Sequence, residues 1–162
     1  ILDVGAGTGR ITIPLAILSG TYDHFLDCEE RLASLSNIAR HLRPAGILVF
    51  DVFLGLMESS PLSPTGEFQR GNRTYRRFVG RRMLPGQKVE VTLVFEVYRD
   101  AELAERVEQR SVAAITDRDE VHRVLTEAGF CVRREFSDYD FTPYREGDEL
   151  LIVEAVVSIR SK

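Results

Sequence analysis

Glycine stands at every second position over Gly5, Gly7 and Gly9, two residues behind an acid, Asp3, that closes a short apolar run. With no side chains at those positions, backbone N–H groups can close on a ligand. A helix beginning behind them adds unpaired donors and the positive end of its dipole. The stretch from Ile1 to Leu15 therefore reads as strand, glycine turn and helix, a corner suited to a nucleotide, with an ordinary tight turn as the alternative. A dinucleotide fingerprint runs Gly-x-Gly-x-x-Gly, whereas here the third glycine comes one residue early and Arg10 holds the sixth position, which weakens a pyrophosphate reading. Further on, His24 can take a proton from an amine or hydroxyl acceptor, because an unperturbed imidazole titrates near neutrality. Capping of the next helix is the competing role. His41, in the last turn of a helix, and His122, on a polar helix face, are given no catalytic role.

The elements that must position these groups follow an α/β order with an interruption. Ile17 to His24 reads as a strand end running into a loop. A helix then starts at Asp27 as N-cap, with Glu30 three residues on and Leu32, Leu35, Ile38, Ala39 and Leu42 on one face. Arg43-Pro44-Ala45-Gly46 stops it, and Ile47 to Phe53 is an unbroken apolar run expected of a parallel strand covered on both faces. Leu54 to Gly66, with two prolines, reads as a loop. From there to Ile115 the period becomes two: Arg73 to Leu84, Gln87 to Arg99 and Leu103 to Ile115 are expected as three antiparallel strands, turning at Pro85-Gly86 and near Asp100-Ala101. Thr116 is expected to cap a second helix with Asp119 at the box position, and Gly129 to end it. Phe130 to Phe136 and Leu150 to Ile159 follow as strands.

A chain of 162 residues with 44% hydrophobic content is one domain's worth of material and can bury a core. No apolar run approaches the ~20 residues that span a bilayer and no leader opens the chain, so a cytoplasmic protein without a membrane partner is expected. Cys28 and Cys131 lack metal-ligand spacing, which argues for reduced thiols and no metal. The net charge of −4 makes nucleic acid an unsuitable partner. The dense basic run Arg70, Arg73, Arg76, Arg77, Arg81 and Arg82 faces Glu90, Glu96, Glu105 and Glu108 in neighbouring strands, so a salt-bridged sheet face is favoured over an RNA footprint.

The acid-then-glycine spacing, continued by Thr8-Gly9-Arg10, resembles motif I of the class I S-adenosylmethionine (SAM)-dependent methyltransferases. Leu42-Arg43-Pro44-Ala45-Gly46 followed by Ile47 to Phe50 looks like the turn and fifth strand of the same family, usually written Pro-Gly-Gly, with Ala45 in place of the first glycine. The end of the chain, Ala128-Gly129-Phe130 and a strand pair around the Tyr139 to Gly147 loop, is similar as well. The resemblance implies a Rossmann-like α/β sheet of seven strands with an antiparallel last strand. It also implies that the three-stranded β insertion, about residues 67–115, is the acceptor-side subdomain of members acting on small molecules.

By that resemblance SAM is the cofactor and S-adenosylhomocysteine the product. Asp3 lies near the methionine amino group, Gly5, Ala6, Gly7 and Gly9 approach the cofactor through backbone, and Ser19 and Thr21 border the transferred methyl. Tyr22 and His24 are the catalytic candidates, Tyr22 on the acceptor side, though each has a structural alternative. A small-molecule N or O nucleophile is the implied acceptor, and the insertion is a candidate homodimer contact. A non-catalytic binding domain and an NAD(P)-dependent oxidoreductase are the competing readings. The passage from the first helix to a fourth-strand end near Ala16-Ile17 skips two βα units, so on the order of 50 residues are expected to be absent there, at ~30 per unit. A naturally deleted relative is the alternative.

Overall fold

The computed structural model describes residues 15–17, 20–54 and 58–158. The glycine corner and the first helix expected around it lie outside the described residues, as does Ser19. The chain divides into two compact units, one made of Ile1–Leu56 with Ala114–Lys162 and the other of Met57–Ala113.

The first unit holds a four-stranded sheet in the order β1-β2-β8-β7, formed by β1 (Leu15–Ile17), β2 (Ile47–Phe53), β7 (Phe130–Phe136) and β8 (Leu150–Val157). β1 and β2 are parallel, with Ile17 opposite Phe50, and β8 lies antiparallel between β2 and β7. Two helices, α1 (Cys28–His41) and α2 (Arg118–Glu127), pack on it. The core joins Leu48, Phe50 and Val52 of β2 to Leu151, Val153 and Ala155 of β8, Leu35 of α1, and Val121, Val124 and Leu125 of α2. Each such side chain contributes ~1.5–3 kcal/mol on burial.

Local chemistry sets the helix ends. Asp27 accepts from the Glu30 N–H at 2.8 Å, and the Glu30 carboxylate accepts from the Leu26 N–H at 3.0 Å. α2 is capped one residue later than its sequence suggests: Asp117, not Thr116, accepts from the Glu120 N–H at 2.7 Å. Thr116 is drawn inward to a parallel bridge with Leu54 and is 1% exposed, so capping passes to the next residue able to do it. The helices are joined by a buried ion pair, Arg31 to Glu120 at 2.6 Å, whose guanidinium also donates to the Phe25 carbonyl at 3.1 Å.

The second unit is a sheet of four strands, not three, in the order β3 (Ser60–Arg70), β4 (Arg73–Leu84), β5 (Lys88–Arg99), β6 (Glu102–Ala114). The expected loop from Leu54 to Gly66 thus gives way to strand from Ser60 onward. Pro61 and Pro64 fit because β3 is an edge strand, where an absent N–H breaks no inner ladder, and its register shifts between Ser60 and Ser63 and between Pro64 and Gly66. Gln87, Asp100 and Ala101 take positive φ at the two hairpin turns that follow. Cross-strand pairs Arg82–Glu90 and Arg106–Glu96 bridge the sheet, Arg76 pairs with Glu67 at 2.7 Å, and Arg77 donates to the Thr65 hydroxyl at 3.1 Å. Exposed pairs of this kind contribute ~0–1 kcal/mol each.

The turn before β2 carries strain at a known place. Ala45 has φ 60 and is exposed, while a Cβ on Gly46 would stand 2.8 Å from the Arg43 carbonyl oxygen. Left-handed backbone costs an alanine ~1–2 kcal/mol, partly offset by the greater unfolded-state freedom of glycine. Ala45→Gly is therefore expected to raise stability by ~0.5–1 kcal/mol and Gly46→Ala to lower it, read as opposite shifts of the urea midpoint.

Candidate functional site

Ligands of open α/β sheets bind beyond the carboxyl ends of the parallel strands, and in the described structure that edge is where β1 and β2 finish side by side. The chain leaves β1 through Gly20 and a single 3-10 turn, Tyr22–His24, closed by hydrogen bonds from the Asp23 N–H to the Gly20 carbonyl and from the Phe25 N–H to that of Tyr22. It leaves β2 through Asp51, Val52 and Phe53.

Two acids sit within this edge. Asp51 is fully buried: its Oδ1 accepts from the Gly20 N–H at 2.9 Å and its Oδ2 from the Tyr139 hydroxyl at 2.5 Å. Asp23 is 4% exposed, its Oδ2 accepts from the Phe53 N–H at 3.2 Å, and its Oδ1 has no hydrogen-bond partner. Burial drives the Asp23 carboxyl up to about 7; the Phe53 N–H opposes this, Asp51 adds to it, and Arg31 and His24 pull the other way. The hydrogen bond to Asp51, with some burial, pushes the Tyr139 phenol up to about 12. Gly20 takes φ +68, and a Cβ there would lie 3.1 Å from the Phe53 ring, so aromatic and backbone are in close contact at this point. Phe53 is 41% exposed and Tyr139 55%, leaving two aromatic faces open around a carboxylate-lined edge.

The sequence-predicted residues distribute unevenly around it. His24 is exposed on the turn after β1, and Thr21 is exposed at the head of the same turn. Tyr22 is a correction. It is 1% exposed, stacks on Phe50 with centroids 4.8 Å apart and lies under the Arg31 guanidinium. Its hydroxyl has no hydrogen-bond partner, and burial raises its pKa well above the tyrosine range. That placement makes it a packing residue of the turn and not a group that meets an acceptor. Asp3, Gly5, Ala6, Gly7, Gly9 and Ser19 lie outside the described residues. The sequence reading passed over Asp23, Asp51 and Tyr139. Asp51 had a signal: it is the one charged residue in the apolar run Ile47–Phe53, and an acid inside a doubly covered strand must be given donors.

No family model matches the sequence, and no curated protein matches it. Solved structures do. The chain superposes on CalS10, an amino pentose methyltransferase from Micromonospora echinaspora, with a TM-score of 0.70 at 16% identity over 98% of this chain and 61% of that one. For KedS8, a sugar N-methyltransferase from Streptoalloteichus sp ATCC 53650, the TM-score is 0.72 at 17% identity over 98% and 60%. For a SAM-dependent methyltransferase from Clostridium acetobutylicum it is 0.73 at 10% identity over 96% and 62%. The fold is that of the class I methyltransferases. This chain spans about three fifths of the length of these structures. Its described sheet has four strands, with β8 antiparallel to both of its neighbours.

The buried acid sets a pH dependence with a definite sign. An unfolded aspartate loses its proton near ~4, whereas folded Asp23 holds it to about 7. Between these values the folded state binds more protons, so Asp23 makes stability fall as pH rises. Asp23→Asn, which keeps an acceptor for the Phe53 N–H, is expected to flatten that decline. The check is the urea midpoint measured at pH 5 and pH 8, where the wild type should lose more than the variant.

Proposed function

We propose that this chain is the described part of a SAM-dependent methyltransferase that moves a methyl group to a nitrogen or oxygen nucleophile of a small molecule. The observation that carries the reading is the edge of β1 and β2, where a methyltransferase-type sheet ends in buried Asp51 and Asp23 under the open rings of Phe53 and Tyr139. The names of CalS10 and KedS8 favour nitrogen.

When bound, SAM supplies a sulfonium methyl that is already electrophilic, so the protein's work is alignment, exclusion of water and proton removal. By the resemblance Asp3 and the backbone at Gly5, Ala6, Gly7 and Gly9 hold the cofactor, with Ser19 and Thr21 beside the methyl. His24 fits the proton-accepting role by its exposure on the turn that follows β1. The greater length of the solved structures supports the reading that βα units are absent from this chain, and because β1 runs unbroken through Ala16-Ile17 they would lie outside that strand. A purified protein several kilodaltons heavier than 18.3 kDa would agree with it.

The insertion supports the homodimer reading. Val89, Val91, Leu93, Phe95 and Val97 alternate onto one face of β5, and Arg106 pairs with Glu96 on the other, which puts Leu103 and Val107 with Phe95. Phe95 is 44% exposed, Leu103 52% and Val107 50%. Phe95→Asp is expected to move the protein from dimer to monomer in sedimentation, and a wild type that sediments as a monomer would end this reading.

Calorimetry separates the functional alternatives. Micromolar affinity for S-adenosylhomocysteine with none for NAD(H) is expected; the reverse would establish an oxidoreductase, and no binding of either a binding domain without cofactor. His24→Ala is expected to lower kcat by ~10²-fold while leaving S-adenosylhomocysteine affinity within ~2-fold, as general-base loss does. An unchanged kcat would remove His24 from the mechanism.

A further inference from the structure

The loop between β7 and β8 is tied to the centre of the sheet where the Tyr139 hydroxyl donates to Asp51, and near its end the Glu149 carbonyl accepts from the Leu54 N–H at 2.8 Å. Because the second oxygen of Asp51 accepts from the Gly20 N–H, one fully buried carboxylate joins three segments: the turn after β1, strand β2 and this loop. The loop is also ordered from within. Asp138 accepts from the N–H groups of Asp140 and Thr142 at 2.9 and 3.0 Å, Asp148 accepts from the Arg145 N–H at 2.7 Å, and Phe141 packs edge-on to Phe136.

Tyr139 is oriented in an unusual way for a loop tyrosine. A surface tyrosine normally keeps its hydroxyl in water and rests its ring on the protein, because the ring is the part that gains from burial. Here the hydroxyl points inward to a buried acid while the residue stays 55% exposed. Held in that way, the ring is a rigid aromatic face with little torsional freedom left to lose on contact with a ligand.

The geometry points to Tyr139 as an acceptor-contacting residue of the methyl-transfer site, with Asp51 as the positioning residue that aims its ring over the carboxyl ends of β1 and β2. This deepens the methyltransferase reading and rests on it. In this role the pair transfers no proton. It fixes where the acceptor's apolar face can lie relative to the methyl being transferred.

The test uses the full-length protein and three variants: Tyr139→Phe, which keeps the ring but frees it; Tyr139→Leu, which removes it; and Asp51→Asn, which alters the anchor. Hydrogen exchange of the ligand-free proteins is expected to accelerate ~10-fold over residues 138–148 in Tyr139→Phe and Asp51→Asn, the effect of losing one hydrogen bond to a charged group. Kinetics at saturating SAM, with an amino pentose and a panel of small amines and alcohols as acceptors, are expected to show the acceptor KM rising ~10-fold or more in Tyr139→Leu and less in Tyr139→Phe. S-adenosylhomocysteine affinity should stay within ~3-fold while the acceptor KM rises, a split that a general loss of folding would not produce. Loop exchange in Tyr139→Phe equal to wild type would overturn the anchor, and an unchanged acceptor KM in Tyr139→Leu would overturn the contact. Wild type that neither binds S-adenosylhomocysteine nor methylates any probe would overturn the methyltransferase reading instead, with the exchange comparison still deciding whether Asp51 holds the loop.

Discussion

A carboxylate placed inside a sheet has to be answered by donors, and in this protein that demand falls on Asp51. Its strand is covered on both faces, so water cannot solvate it, and an unanswered charge there would cost several kcal/mol. The Gly20 N–H and the Tyr139 hydroxyl meet the need, one from each side. Much of the local architecture follows from that. The chain must turn sharply after β1 to present the N–H, which is done with glycine at positive φ in van der Waals contact with Phe53. The β7–β8 loop must reach back over the strand ends to present the hydroxyl. Asp23, brought close by the same turn, is left with one donor and one bare oxygen, and holds its proton into the neutral range as a result.

The proposed function rests on the edge of a sheet. Methyl transfer from a sulfonium asks little covalent chemistry of a protein and much positioning. A rigid edge made from two strand ends, two buried acids and two half-open aromatic rings answers that requirement. The wider sheet supports the family reading by its strand sequence, in which the chain's last strand inserts antiparallel between partners that run the other way.

What the sequence made legible was the part governed by local rules. The Asp27 cap, the Ile47–Phe53 strand and the period-two strands β4 to β6 were readable because side-chain periodicity and capping chemistry act over a few residues. β3 was hidden because two prolines mark a loop by local rule, and only its place at a sheet edge, a tertiary fact, makes them acceptable. Thr116 lost its capping role to a bridge with Leu54 for the same reason. The proposal of His24 rests on its chemistry alone. Tyr22 was misjudged because whether a tyrosine faces a ligand or a phenylalanine depends on contacts with residues far along the chain, here Phe50. The Asp51–Tyr139 bond spans 88 residues, beyond the reach of any spacing rule.

The bridge between Leu54 and Thr116 has a meaning for how such a chain can diversify. It holds the points of departure and return of the second unit next to each other within the first, so the entropy of closing that long excursion is already met by the host sheet. For a closed excursion of this kind, lengthening costs only ~0.6 kcal/mol per doubling. The segment between can then change in strand number, charge or outline while the residues at the ends of β1 and β2 keep their geometry. The second unit and the strand-end residues are in that sense written on separable stretches of one chain.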